Sequence, residues 1–126
     1  MQIAFLFNSS NVTGSGDYGY GWYIDEVSLE TGDIVFNNPE DWEDGLGDWY
    51  VETGTWETGT PSSGPGSAHE GLRCAATVLA GYYSESSHTS RLVSPVFTVP
   101  AEGENPRLGF WHWFSFSSGD YGVVQI

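Results

Sequence analysis

The chain is rich in side chains that could do chemistry, but their spacing does not suit hydrolysis. Its three histidines, His69, His88 and His112, are widely scattered, and no HExxH pair or Gly-x-Ser-x-Gly elbow occurs. A glycoside hydrolase needs two carboxylates facing one groove, commonly on alternate residues of a strand. "PEDWED" instead gathers Glu40, Asp41, Glu43 and Asp44 beside a turn, and "ETGD" at 30–33 does not alternate either. No catalytic residue is assigned, and the chain is read as a non-enzyme. Cys74 is alone, which excludes an internal disulfide and a cysteine zinc site. Its apolar setting, "LRCAATVLAG", predicts a buried free thiol.

Binding is the better use of this composition. The chain holds 6 Trp, 7 Tyr and 7 Phe. Sugar rings stack on the faces of exposed aromatics, while neighbouring Asp, Asn and Arg read the hydroxyls. The candidate platforms are Trp22, Tyr82, Tyr83, Trp111 and Trp113, with the two tyrosines of "AGYYSESSHTS" placed in a loop. For Trp111 and Trp113 core packing is the competing fate. His112 is expected to be a neutral ring with one satisfied hydrogen bond.

Charge narrows the partners. There are 17 acidic residues, three arginines and no lysine, giving a net charge of −14. Such a surface repels phosphate backbones and anionic lipid, so neither nucleic acid nor a membrane surface is expected as a partner. It attracts cations, and hard carboxylate oxygens suit Ca²⁺. No stretch reaches membrane-spanning length. "QIAFLFNSS" after Met1 lacks a basic region and a small-residue cleavage site, so it is not read as a signal peptide. "NSS" at Asn8 and "NVT" at Asn11 are glycosylation sequons in an expected loop.

The elements that must position these residues are short. With 126 residues the chain has room for one domain, and 39% hydrophobic content supports a core. Apolar stretches alternate with Gly, Ser, Asn and Asp clusters, the pattern of an all-β sandwich. Strands are predicted at 2–7, 22–29, 34–36, 50–57, 74–79, 90–93, 96–99, 107–116 and 122–126. "SGDYG" occurs at 15–19 and again at 118–122, each time before an apolar strand, which predicts hairpin turns. In "RLGFWHWFSF" alternation sets Leu108, Phe110, His112, Phe114 and Phe116 on one face, with Trp111, Trp113 and Ser115 on the other. Two aromatic faces predict a central strand.

The segment "NPEDWEDGLGDWYVETGTWETGTP" resembles the opening of MAM-like jelly rolls, the accessory repeats found beside secreted bacterial peptidases of the immune-inhibitor-A type. The resemblance rests on Trp42, Glu43, Asp44, Gly45, Leu46 and Trp49, with a second Trp at 56. "SRLVSPVFTVP" and "PRLGFWHWFSFSSGDYGVVQI" are similar to the middle of that family. "QIAFLFNSS" with "GWYIDEVSL" is similar to its end. The order is therefore rotated: residues 1–32 look like the tail of one repeat and 33–126 like the head and middle of the next, with "TGDIVFNNPE" as a former linker. One family stretch, between "YGVVQI" and "QIAF", is absent.

The resemblance implies a single permuted, two-sheet antiparallel sandwich of concanavalin-A/MAM-like jelly-roll type. It also implies a secreted or cell-surface parent protein and a structural Ca²⁺ joining first and last strands. The matching ligands would be Asp25, Glu43 and Glu70 or a carbonyl near Gly71, with Asp17 and Asp120 further out. The competing role for Asp25 is to accept hydrogen bonds from loop amides and pin a turn. Missing strands imply exposed sheet edges, hence a homodimer or strand exchange. The functional expectation is a non-catalytic extracellular module for adhesion or substrate targeting that binds carbohydrate. The alternatives are a structural, self-associating spacer of a tandem array and a small glycoside hydrolase.

Overall fold

A computed structural model describes residues 2–9, 19–30, 40–84 and 87–126. Eight strands are formed among them: β1 Ala4–Ser9, β2 Gly21–Glu30, β3 Tyr50–Thr53, β4 Glu57–Gly59, β5 Cys74–Ala76, β6 His88–Val93, β7 Arg107–Ser115 and β8 Tyr121–Gln125. They make two four-stranded antiparallel sheets, ordered β3-β6-β1-β8 and β4-β5-β2-β7. The all-β, two-sheet sandwich read from the sequence is the fold. Its N-terminal strands are internal to both sheets, β1 between β6 and β8, β2 between β5 and β7.

Period-two alternation sets the core. Phe5 and Phe7 of β1 point inward and meet Trp22, Ile24 and Val27 of β2 across the gap between sheets. Phe5 lies edge-on to Trp22 at 5.7 Å and to Phe110 at 5.3 Å, and stacks with Trp49 at 6.0 Å. Trp42, fully buried, meets Trp49 at 5.1 Å. Each such side chain contributes roughly 1.5–3 kcal/mol by leaving water. A polar strut crosses from sheet to sheet at the margin of this gap, through the exposed Thr55. Ser90 Oγ of β6 accepts from Thr55 N at 3.1 Å, Thr55 Oγ1 donates to the Thr77 carbonyl at 2.9 Å, and Thr77 Oγ1 accepts from Trp22 N at 3.0 Å. The strut ties one sheet to the other.

Several expectations are corrected. The predicted strand 50–57 is two strands in different sheets, because Gly54 turns the chain at φ 84° between them. Residues 96–99 form no strand: Pro95 and Pro100 bracket them and neither supplies an N–H for pairing. The 74–79 strand stops at Ala76, where the Thr77 amide and hydroxyl turn to the Trp22 backbone. Asn8 lies within β1, where its amide donates to Thr89 Oγ1, so this sequon is not in a loop. The 34–36 strand, the Asn11 sequon, Asp17, the first "SGDY" and the 31–39 linker lie outside the described residues.

The largest correction concerns β7, which among the described residues is an edge strand and not a central one. Alternation reports that both faces are aromatic but not whether a strand lies on each side. Its outer face is screened by the β4–β5 loop, and its inner face opens at the sandwich mouth. His112 accordingly is exposed rather than a buried ring, set between Phe110 and Phe114. The second "SGDYG" is not a hairpin turn either. It carries the chain from β7, at the edge of one sheet, to β8, at the edge of the other.

Candidate functional site

The site is built on the outer face of the β5-β2-β7 region. Register sets Tyr23 of β2 opposite Trp113 of β7, and Asp25 opposite Trp111. A bulge follows: three steps from Asp25 to Ser28 match two from Trp111 to Gly109. Its extra residue, Glu26, sits at φ 48°, a left-handed conformation that costs a side-chain-bearing residue energy. The bulge sends Val27 back to the core and leaves Glu26 beside Asp25 and the loop.

The loop from β4 to β5, rich in Gly, Ser and Pro, folds over this face. Tyr23 Oη and Ser63 Oγ lie 2.9 Å apart, and Gly64 passes so close to the Tyr23 ring that a Cβ there would sit 2.6 Å from it. Asp25, 4% exposed, accepts from the Glu26 and His69 amides at 3.0 Å each. Glu43 Oε1 accepts from the Leu72 and Arg73 amides at 2.8 Å each. With its backbone held, His69 lays its ring on Trp111, centroids 4.1 Å apart and planes 11° from parallel, and hydrogen-bonds Glu26 through Nδ1.

The result is a ridge between two clefts. One, about 280 Å³, is lined by Tyr23, Asp25, Ala68, His69, Trp111 and Trp113. The other, about 490 Å³, is lined by Glu26, Ser28, His69, Glu70, Phe110 and Trp111. Trp111 is 53% exposed and shared by both. The aromatic row continues from Trp113 to Tyr20 at 6.2 Å and on to Tyr82, which stacks on Tyr20 at 4.8 Å. An exposed flat ring flanked by carboxylates and an imidazole can take the apolar face of a polar ring compound and accept hydrogen bonds from its rim.

Of the predicted platforms, Trp111, Trp113 and Tyr82 meet on this face. Trp22 does not: it is a core residue packed on Phe5 and Trp56, closed to solvent. Tyr83 does not either. It is buried against Phe7, its hydroxyl donates to Asp120 and accepts from Ser117 N at 2.8 Å, and it pins the β7–β8 connection. Burial and the Asp120 bond push the Tyr83 phenol above its ordinary range. Tyr20, Tyr23, Glu26 and His69 are additions. Alternation could have put Tyr23 on the outer face with Asp25, but only the bulge brings Glu26 there.

Asp25 and the 69–73 loop do converge, and Glu43 reaches the same loop. The donor set fits Ca²⁺ poorly, however. The oxygens of Asp25 and Oε1 of Glu43 are turned to loop amides, the role that competes with metal binding. The group of potential ligand atoms within 4.8 Å of one another is Glu26, His69 and Glu70, two carboxylates and a nitrogen, against the six to eight oxygens that Ca²⁺ takes. Cys74 is buried behind the site, and burial pushes its thiol up to about 12, which makes it unreactive.

Burial raises the Asp25 carboxyl to about 6 from 3.8, against the lowering effect of its amide bonds. Between those values the folded chain keeps a proton that the unfolded chain has released. Asp25 therefore withdraws stability as pH rises through that window, and the loss is complete above it. Asp25→Asn is expected to flatten this part of the profile. Urea melts of both proteins from pH 4 to 7 check it, and parallel curves would refute it.

No protein-family profile matches the chain, and no solved structure matches it. The chain is similar to Bacillopeptidase F of Bacillus subtilis (strain 168), at 37% identity over 97 residues. The matched stretch is 74% of this chain and 7% of that protein, so the chain spans a small part of the relative's length. Among the described residues no helix is long and apolar enough to cross a membrane.

Proposed function

We propose that this chain is a non-catalytic accessory module of a larger secreted or cell-surface protein, and that its outer aromatic face binds neutral carbohydrate. The observation that carries the reading is Trp111: an exposed ring, braced by His69, between two clefts and flanked by Glu26 and Glu70. The acidic surface disfavours acidic glycans, which leaves uncharged sugars as the class that suits it. The relative is by name a peptidase, and a match to 7% of its length suits an accessory unit rather than a whole enzyme. The MAM-like resemblance points the same way. Adhesion or substrate targeting is the role such a module would serve.

A glycan array probed with the intact chain tests the binding. Retention on at least one neutral polysaccharide is expected, with Trp111→Ala weakening it by about tenfold or more and leaving the fold intact. Tyr82→Ala, at the far end of the aromatic row, should weaken it less. Silence across the array, or full binding by Trp111→Ala, overturns the reading and favours a structural spacer.

A further inference from the structure

The mouth of the sandwich, opposite in character to the acidic remainder, is a second surface that borders the larger cleft at Phe110. Here β7 and β8 end their sheets, and among the described residues each pairs on one side alone, β7 with β2 and β8 with β1. An unpaired strand presents a row of N–H and C=O groups to any chain that can lie beside it. Natural edges are usually protected by lysine, proline, a bulge facing the edge or shortness. β7 has nine residues, about 30 Å of backbone, with no Lys or Pro and its one charge, Arg107, at the end.

The side chains tell the same story. Phe110, His112, Phe114 and Phe116 form a ladder with ring centroids 5.4, 5.4 and 5.1 Å apart. They face the interior, as Phe110 on Phe5 and Phe116 on Phe7 show. Yet Phe114, on this inward face, is 55% exposed. Residues 107–126 hold one Arg and one Asp and are neutral on balance, so the rest of the chain carries the whole net charge of −14.

We propose that the mouth pairs with a second copy of this chain, the C-terminal end of β7 around Phe114 lying antiparallel against the same stretch of its partner, so that the two Phe114 side chains close on each other. The charge distribution selects that occupant. Two copies of so acidic a chain repel one another over most of their surface, and this is the uncharged face through which they can meet. Such a contact is self-complementary about a two-fold axis and closes at a dimer.

Sedimentation of the intact chain over a wide concentration series tests the pairing. A dimer is expected, strengthened by salt as the distant carboxylates are screened. Phe114→Lys should leave a monomer with an unchanged circular dichroism spectrum, since the side chain is already more than half exposed. Amide exchange gives a second readout that needs no variant: the β7 amides turned away from β2 should become protected as the dimer fills. Tyr82→Ala, in the aromatic row but off β7, should dimerise normally, which separates this proposal from the glycan reading. A monomer at every concentration, or a dimer that survives Phe114→Lys with β7 amides still exchanging freely, overturns it.

Discussion

Replacing Trp42 by alanine is expected to lower the unfolding free energy by about 3–5 kcal/mol, the range for deleting a large buried aromatic. The side chain is fully buried, edge-on to Trp49. The loss should also reach the site. Trp42 sits at φ 61° with its amide donating to Glu40 Oε1 at 3.3 Å, and its carbonyl accepts from Arg73 Nε at 3.2 Å. The next residue, Glu43, holds the amides of Leu72 and Arg73. Losing the indole therefore loosens the turn that fixes the loop under His69. Denaturant melts followed by far-ultraviolet circular dichroism measure the first effect, and glycan affinity the second. Trp111→Ala is the control, expected to move stability by less than about 1 kcal/mol because the ring is half exposed. If Trp42→Ala costs no more than that control, the core described around it is wrong.

Gly54→Ala is the second large effect, and its cause is backbone rather than volume. Gly54 adopts φ 84°, and a Cβ there would stand 2.1 Å from Ser90 Oγ and 2.5 Å from Ser90 Cα. Left-handed backbone alone costs alanine roughly 1–2 kcal/mol, and forcing an atom into a packed site adds about 1–3 kcal/mol. The displaced group is Ser90, the first member of the strut through Thr55 and Thr77 to the Trp22 amide. The clash thus pushes β3 from β6 and unseats a contact between the sheets. A total loss of about 2–5 kcal/mol follows, a drop of at least several degrees in melting temperature. Gly66→Ala provides the comparison: its φ is 77° but nothing lies within 4 Å, so it reports conformational strain without the clash. Equal losses for the two glycines would refute the strut as the reason.

What could be read early, and what could not, follows from the range of each interaction. "AFLFNS" and "GWYIDEV" are short apolar and aromatic stretches bounded by turn residues, and both are strands as predicted. "RLGFWHWFSF" was as legible as a strand and misleading as to place. Its two aromatic faces look central, yet the outer one meets a loop that leaves Trp111 half exposed, and the inner one packs on the core through Phe110 and Phe116 while leaving Phe114 exposed. The lone Cys74 was readable as a buried thiol from its apolar neighbours. Trp22 and Tyr83 were not. Whether an aromatic faces sugar or core depends on which sheet lies over it, and that is decided by residues far away in sequence.

By itself, then, the sequence determined the fold class, the strand-forming segments and the acidic, lysine-free surface, because these depend on local periodicity and summed charge. Only the tertiary structure decided that β7 and β8 end their sheets among the described residues, that a one-residue bulge turns Glu26 toward His69, and that His69 comes from more than forty residues away to rest on Trp111. Those outcomes arise from pairing between distant segments, whose order and register no short window of residues contains.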